Sequence, residues 1–138
     1  MQLVEDGVVT LDDTVAQWLP EVADQLPYVD QITVYQLLSH TSGIFSVVEH
    51  ESYYTDIFTE MEVDEATGAV TLACVQRDPH DTLARYVYGK DALFEPGASW
   101  YYSNTNYTLL GMVIEAAMDM PLAEAYLYVV KVNWTDEV

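Results

Sequence analysis

Three consecutive polar residues, Tyr102, Ser103 and Asn104, stand where an aromatic loop becomes a helix-periodic apolar run. A tyrosine phenol can exchange a proton, and an asparagine amide can both donate and accept hydrogen bonds. The triplet therefore has two interpretations. It can cap the helix, because Ser and Asn side chains accept hydrogen bonds from free backbone N–H groups. It can also be a catalytic triplet whose partners lie elsewhere.

An isolated phenol is a weak base at neutral pH. Its reference pKa is near 10, so only about one tyrosine in a thousand is ionised at pH 7. A helix N-terminus favours the anion by at most about 1 kcal/mol when it is exposed. We also expect the many carboxylates of this chain to oppose a phenolate. A catalytic Tyr102 would therefore need neighbours that lower its pKa and a group to deprotonate.

Apolar periodicity predicts that the triplet opens a long helix. This helix should run from Asn104 or Thr105 to about Met118, and Pro121 should begin a final helix. The expected inward positions of the long helix are Leu109, Met112, Val113 and Ala116. Those of the final helix are Leu122, Tyr126 and Val129. Upstream, Pro96-Gly97 predicts a turn in the loop that leads to the triplet.

A capping box marks the clearest of the shorter helices, in the stretch ITVYQLLSHTSGI. Thr33 and Gln36 have the spacing of this motif. Gly43 is expected to end the helix, because glycine adopts the left-handed conformation of helix ends. The expected buried stripe is Val34, Leu37 and Leu38.

Two further short helices and one hairpin complete the expected architecture. Asp12 or Asp13 should cap a helix that Pro20 ends, and Asp81 should cap one that Gly89 ends. Apolar runs on either side of a Thr-Gly pair predict a short β-hairpin at Thr67-Gly68. The chain is therefore expected to be mainly α with one short β-hairpin.

Charge is the strongest compositional signal. Asp and Glu total 23 against 4 Lys and Arg, a net charge of -19. Such a surface repels nucleic acid and anionic membranes, and no apolar run approaches the length of a membrane span. Salt should relieve the self-repulsion, because the Debye length falls from about 10 Å at 0.1 M to about 3 Å at 1 M. We hypothesise a halophilic source; a melting temperature that does not rise between low and molar salt would contradict it.

The histidines do not indicate a metal site. His40, His50 and His80 lack metal-ligand spacing, so no metal or other cofactor is expected. His40 ends an apolar helical stripe and is interpreted as a packing histidine rather than an acid or base.

Three stretches, in order, carry a family resemblance: LVEDGVVTLDDTVAQWLPEV, ITVYQLLSHTSGI and FEPGASWYYSNTNYTLLGMVIEAA. They resemble the serine β-lactamase and penicillin-binding-protein superfamily, in particular its class C β-lactamase, D-Ala-D-Ala carboxypeptidase and family VIII esterase branch. The resemblance covers residues 1–50 and 93–126. It implies that the chain corresponds to the helical domain of an α/β fold whose active site lies between that domain and a sheet domain.

The resemblance also implies roles for individual residues. Tyr102 would be the general base and Asn104 the substrate-binding amide, with Ser103 the residue between them. The residues expected to pack and cap beneath the site are Leu37, Leu38, His40, Ser42 and Gly43. The implied reaction is acyl transfer through a serine nucleophile in an S-x-x-K motif, with a small acyl compound as substrate: a β-lactam, a D-alanyl peptide or an ester.

Two elements of that family have no counterpart in the sequence. No serine is followed by lysine three residues later, and neither Lys90 nor Lys131 begins a Lys-Thr-Gly motif. Residues 1–138 are therefore expected to be a single partial domain, a middle segment that is inactive by itself. The alternative is a stand-alone acidic helical module that acts by protein binding or by forming a homo-oligomer through an exposed apolar interface.

Overall fold

The computed structural model describes residues 1–59, 62–63, 66–67, 70–71 and 78–127. Within these residues the chain is mainly helical, as predicted. The α-helices are α1 (Gln2–Glu5), α2 (Val15–Trp18), α3 (Val34–Leu38), α4 (Tyr53–Thr59), α5 (Pro79–Tyr86) and α6 (Asn104–Met118), with short 3-10 helices at Pro20–Val22 and Val47–Glu49.

The predicted hairpin is confirmed as a short pair of strands. Strand β1 (Glu62–Val63) pairs antiparallel with β2 (Val70–Thr71). Thr67 lies in a turn between the strands, and Gly68 lies outside the described residues.

Helix α6 is the centre of the core, where it contacts α2, α3 and α5. Leu109, Met112 and Val113 are buried as predicted. Ala116 is exposed, so its inward placement was wrong. The last buried residue of α6 is Val113. The pattern failed at Ala116 because periodicity predicts which face of a helix is buried, but not where the elements packed against that face end.

The capping box of α3 is confirmed. The Thr33 N–H donates to Gln36 Oε1 (3.0 Å), and the Gln36 N–H donates to Thr33 Oγ1 (3.2 Å). The predicted end was wrong: α3 ends at Leu38, and the left-handed residue beyond it is His40 (φ 59°), three residues before Gly43. Of the predicted stripe, Val34 and Leu37 are buried and Leu38 is partly buried.

The cap of α2 differs from the prediction. Thr14 forms a capping box with Gln17, whose Oε1 accepts the Thr14 N–H over 2.6 Å, so neither Asp12 nor Asp13 is the cap. Asp13 instead accepts hydrogen bonds from the hydroxyl and the N–H of Thr10, and these lower the pKa of its carboxyl.

The other predicted helix ends are confirmed in part. Asp78, not Asp81, caps α5 by accepting the His80 N–H over 2.7 Å, because Pro79 at the first helical position starts the helix earlier. Gly89 has a positive φ of 77° shortly after α5 ends. Pro20 follows α2 as expected and opens a 3-10 helix.

Residues 122–127 are helical after Pro121, as predicted. The buried residue here is Ala125, whereas Tyr126 is exposed, and Val129 lies outside the described residues. No helix in the described ranges has the length and apolar character needed to cross a membrane.

Candidate active site

The loop before α6 is held against segment 40–43 by backbone hydrogen bonds. Three N–H groups of the loop donate to three carbonyls of the segment: Leu93 to Gly43 (2.8 Å), Gly97 to Thr41 (2.8 Å) and Tyr101 to His40 (3.0 Å). The two stretches that carry the candidate residues therefore form one unit, although about fifty residues separate them in sequence.

Position 43, where the loop contacts the segment, requires a glycine. Its φ is 78°, and a Cβ built on it would lie 2.1 Å from the Phe94 carbonyl oxygen. Any side chain at Gly43 would thus collide with the backbone of the loop.

The N-terminus of α6 is fastened to segment 45–47. The Asn104 N–H donates to Ser46 Oγ (3.1 Å), and the Thr105 hydroxyl donates to the Phe45 carbonyl (2.7 Å) while accepting the Val47 N–H (2.9 Å). Asn104 is the first helical residue and Ser103 holds the N-cap position, so Asn104 is not the cap. The oxygen that satisfies this end of the helix comes from Ser46, a residue distant in sequence.

A buried polar network lies beneath the triplet. His40 Nδ1 is 3.2 Å from the Ser103 backbone nitrogen and 3.2 Å from Asn106 Nδ2. The Ser42 hydroxyl donates to Asn106 Oδ1 over 2.7 Å and accepts the Ile44 N–H over 3.2 Å. Because buried polar groups are costly unless paired, this network fixes the position of Ser103.

Tyr102 lies above this network with its side chain 53% exposed. Its ring is stacked at a tilt on the His40 imidazole, with centroids 4.4 Å apart, and Tyr107 contacts the same imidazole at 5.4 Å. Among the described residues, the Tyr102 hydroxyl and the half-buried Asn104 side-chain amide have no hydrogen-bond partner. Both groups are therefore available to a ligand.

The adjacent tyrosine, Tyr101, has a hydrogen-bond partner for its hydroxyl. The Tyr101 hydroxyl donates to Glu49 Oε1, and this hydrogen bond raises the pKa of Tyr101. Tyr101 therefore ionises less readily than an ordinary tyrosine.

The two segments that form the site carry no formal charge in a chain of net charge -19, although Glu49 and Lys90 reach Tyr101 and Phe45 from outside them. Residues 31–48 and 96–114, which form it, contain no Asp, Glu, Lys or Arg. The expected opposition of nearby carboxylates to a phenolate therefore does not come from these two segments. In the part of the chain that the structure describes, no three His, Cys, Asp or Glu side chains gather as a metal site.

The structure places all of the predicted site residues in this region: Tyr102, Ser103, Asn104, His40, Ser42 and Gly43. Three residues that the sequence reasoning missed are Ser46, Thr105 and Asn106, which supply the polar contacts between the two segments. The signal available in the sequence was that two adjacent polar residues, Thr105 and Asn106, stand in the first turn of the predicted helix; the structure shows that both are fully buried.

Comparison with known proteins shows the family and the fold of the chain. The model of the Beta-lactamase family matches residues 1–127. The chain is 33% identical over 122 residues to Penicillin-binding protein 4* of Bacillus subtilis and 30% identical over 129 residues to Esterase EstB of Burkholderia gladioli. It also superposes on a D-stereospecific amidohydrolase from Streptomyces with a TM-score of 0.74 and 37% identity, over 90% of this chain. The fold is that of the helical domain of β-lactamase and transpeptidase-like proteins.

The chain belongs to the Beta-lactamase family. It spans only part of the proteins it matches. The alignments cover 88% and 91% of this chain but 23% of Penicillin-binding protein 4* and 30% of Esterase EstB, and the superposition covers 34% of the amidohydrolase.

Proposed function

We propose that this chain is the helical part of a β-lactamase-like serine hydrolase and forms one wall of its active site. The substrate class is a small acyl compound: a β-lactam, a D-alanyl peptide or an ester. Tyr102 is the general base and Asn104 the amide that binds the substrate. The chain by itself is inactive, because it has no S-x-x-K serine and no Lys-Thr-Gly element.

One observation supports this proposal above the others. Tyr102 is exposed and its hydroxyl has no partner within the described residues, while the backbone on its C-terminal side is held by a buried network. A capping role alone needs neither an exposed phenol nor an amide without a partner beside it. A fixed backbone with free functional groups is the arrangement that catalytic preorganisation requires.

The proposed reaction has two steps. A serine oxygen attacks the acyl carbon while its proton passes to the Tyr102 oxygen, and an acyl-serine ester forms as the leaving group departs with a proton. Water then hydrolyses the ester. A phenol becomes an effective base only when nearby ammonium groups lower its pKa. In this proposal the serine and its lysine partner come from residues outside this chain, because no serine here is followed by lysine three residues later.

The purified chain should not hydrolyse nitrocefin or p-nitrophenyl esters above the rate of buffer. The physical reason is that a phenol without a nucleophile to deprotonate and without ammonium neighbours cannot assist acyl transfer. Turnover is measured by absorbance. Turnover that Tyr102→Phe abolishes would show that the chain holds a complete site and would contradict its proposed inactivity.

A second candidate function, self-association, is favoured by an exposed apolar groove. The groove has a volume of about 330 Å³ and lies between the N-terminal residues, α3 and α6; its lining includes Val4, Leu38, Leu110, Ile114, Met118 and Tyr126. Light scattering separates the two candidates. A defined dimer that Ile114→Glu dissociates supports a self-associating module, whereas a monomer or an irregular aggregate supports the hydrolase part.

A further inference from the structure

His40 has an unusual backbone and a buried side chain. It adopts φ 59° two residues after the end of α3, in a region that few L residues enter but in which His and Asn are enriched. Its side chain is stacked with Tyr102 and contacts Trp100 edge-on at 6.3 Å, and the residue is only 9% exposed. The imidazole thus lies at the junction of the site loop and α6.

The hydrogen bonds of this imidazole have one consistent assignment, because one partner is a backbone amide. The Ser103 N–H can only donate, so His40 Nδ1 must accept. Asn106 Nδ2 must then donate to the same nitrogen, which turns Asn106 Oδ1 toward the Ser42 hydroxyl. The His40 proton therefore resides on Nε2.

We propose that His40 is a positioning residue of this site: its unprotonated Nδ1 holds the Ser103 amide and so fixes Tyr102 and Asn104 on either side. The catalytic consequence rests on the proposed function, whereas the positioning itself does not. Protonation of Nδ1 would turn the acceptor into a third donor facing two donors. Both hydrogen bonds would be lost, and the start of α6 would be released.

The protonation of His40 can be measured without interference from acidic or basic side chains of the elements around it. The elements packed around it are α3, segment 41–48, the loop 98–103 and the first turns of α6, and none contributes an acidic or basic side chain to the contact. Their titratable groups are tyrosines, which stay neutral in acid: Tyr35, Tyr101, Tyr102 and Tyr107. Glu49 reaches this region through its hydrogen bond with Tyr101, so Glu49→Gln is the control for that carboxylate.

The first test is nitrogen NMR of the full chain during acidification. We expect the His40 ring spectrum of the Nε2–H tautomer at neutral pH, and a Ser103 amide shift whose midpoint equals that of His40 and is unchanged in Glu49→Gln. A proton on Nδ1, or a Ser103 amide that does not follow His40, overturns the proposal.

Two variants then separate the effect of the His40 hydrogen-bond acceptor from the effect of the positive φ at this residue. His40→Asn places Oδ1 as many bonds from the backbone as Nδ1, adopts positive φ readily and does not titrate. His40→Gly also accepts positive φ but offers no acceptor. We expect Ser103 amide exchange about tenfold faster in His40→Gly than in His40→Asn, because a buried donor loses its partner. Equal exchange in the two variants overturns the proposal.

This result is independent of catalysis. Neither measurement uses a substrate, so the two proposals can fail separately. If the chain passes both tests but takes no part in acyl transfer, the positioning role of His40 is supported and the proposed function is contradicted. A chain that fails both tests can still supply Tyr102 as a base, which is tested separately. If His40→Gly does not fold, the acid titration of the unmodified chain decides the proposal.

Discussion

Replacing Gly43 with alanine should lower the free energy of unfolding by about 2–5 kcal/mol. Two effects add: a non-glycine residue in the left-handed region costs about 1–2 kcal/mol, and forcing an atom into a packed contact costs about 1–3 kcal/mol. The second effect arises because the new Cβ would lie 2.1 Å from the Phe94 carbonyl oxygen, which belongs to the backbone and cannot rotate away. Urea denaturation followed by circular dichroism measures the loss.

Gly89 is a matched control for this substitution. Its φ of 77° is nearly the same as the 78° of Gly43, but a Cβ built on it meets nothing within 4 Å. Gly89→Ala should therefore show only the backbone effect, about 1–2 kcal/mol. Equal losses in the two variants would mean that the backbone of the loop does not press on Gly43.

The helices of this domain could be predicted from local sequence, because their signals lie within a few residues of one another. The capping box of α3 and the start of α6 at Asn104 follow from spacings of three and four residues. The errors at helix ends are of another kind. The sequence predicts caps at Asp12 or Asp13 and at Asp81, whereas the structure has them at Thr14 and Asp78. Several residues with side-chain oxygens compete at each helix end, and tertiary contacts decide among them.

The connections of the candidate site could not be predicted from local patterns. Ser42 and Asn106 are 64 residues apart, and His40 and Asn106 are 66 apart. No periodicity links such positions, so the resemblance alone brought the two segments together. It suggested that His40 and Gly43 pack and cap beneath the site, but not that Gly43 makes room for a carbonyl or that His40 accepts a backbone proton.

The role of Tyr102 is best tested in a chimera that supplies the missing residues. In this chimera the chain replaces the segment of Penicillin-binding protein 4* of Bacillus subtilis with which it aligns. Formation of a covalent adduct with a fluorescent penicillin reports acylation without requiring turnover. A folded chimera that forms no adduct would contradict the proposed function, because the wall contributed by this chain would then be unable to complete a site.

In that chimera, Tyr102→Phe should slow adduct formation by about 10²–10⁴-fold, the usual contribution of a general base. Tyr107→Phe is the matched control, since both side chains are 53% exposed and both contact the His40 ring. It removes a similar hydroxyl without removing the base and should leave the rate nearly unchanged. Equal slowing in the two variants would indicate that the tyrosines act through packing on His40. The contrast between two phenols on one imidazole thus separates proton transfer from structural support.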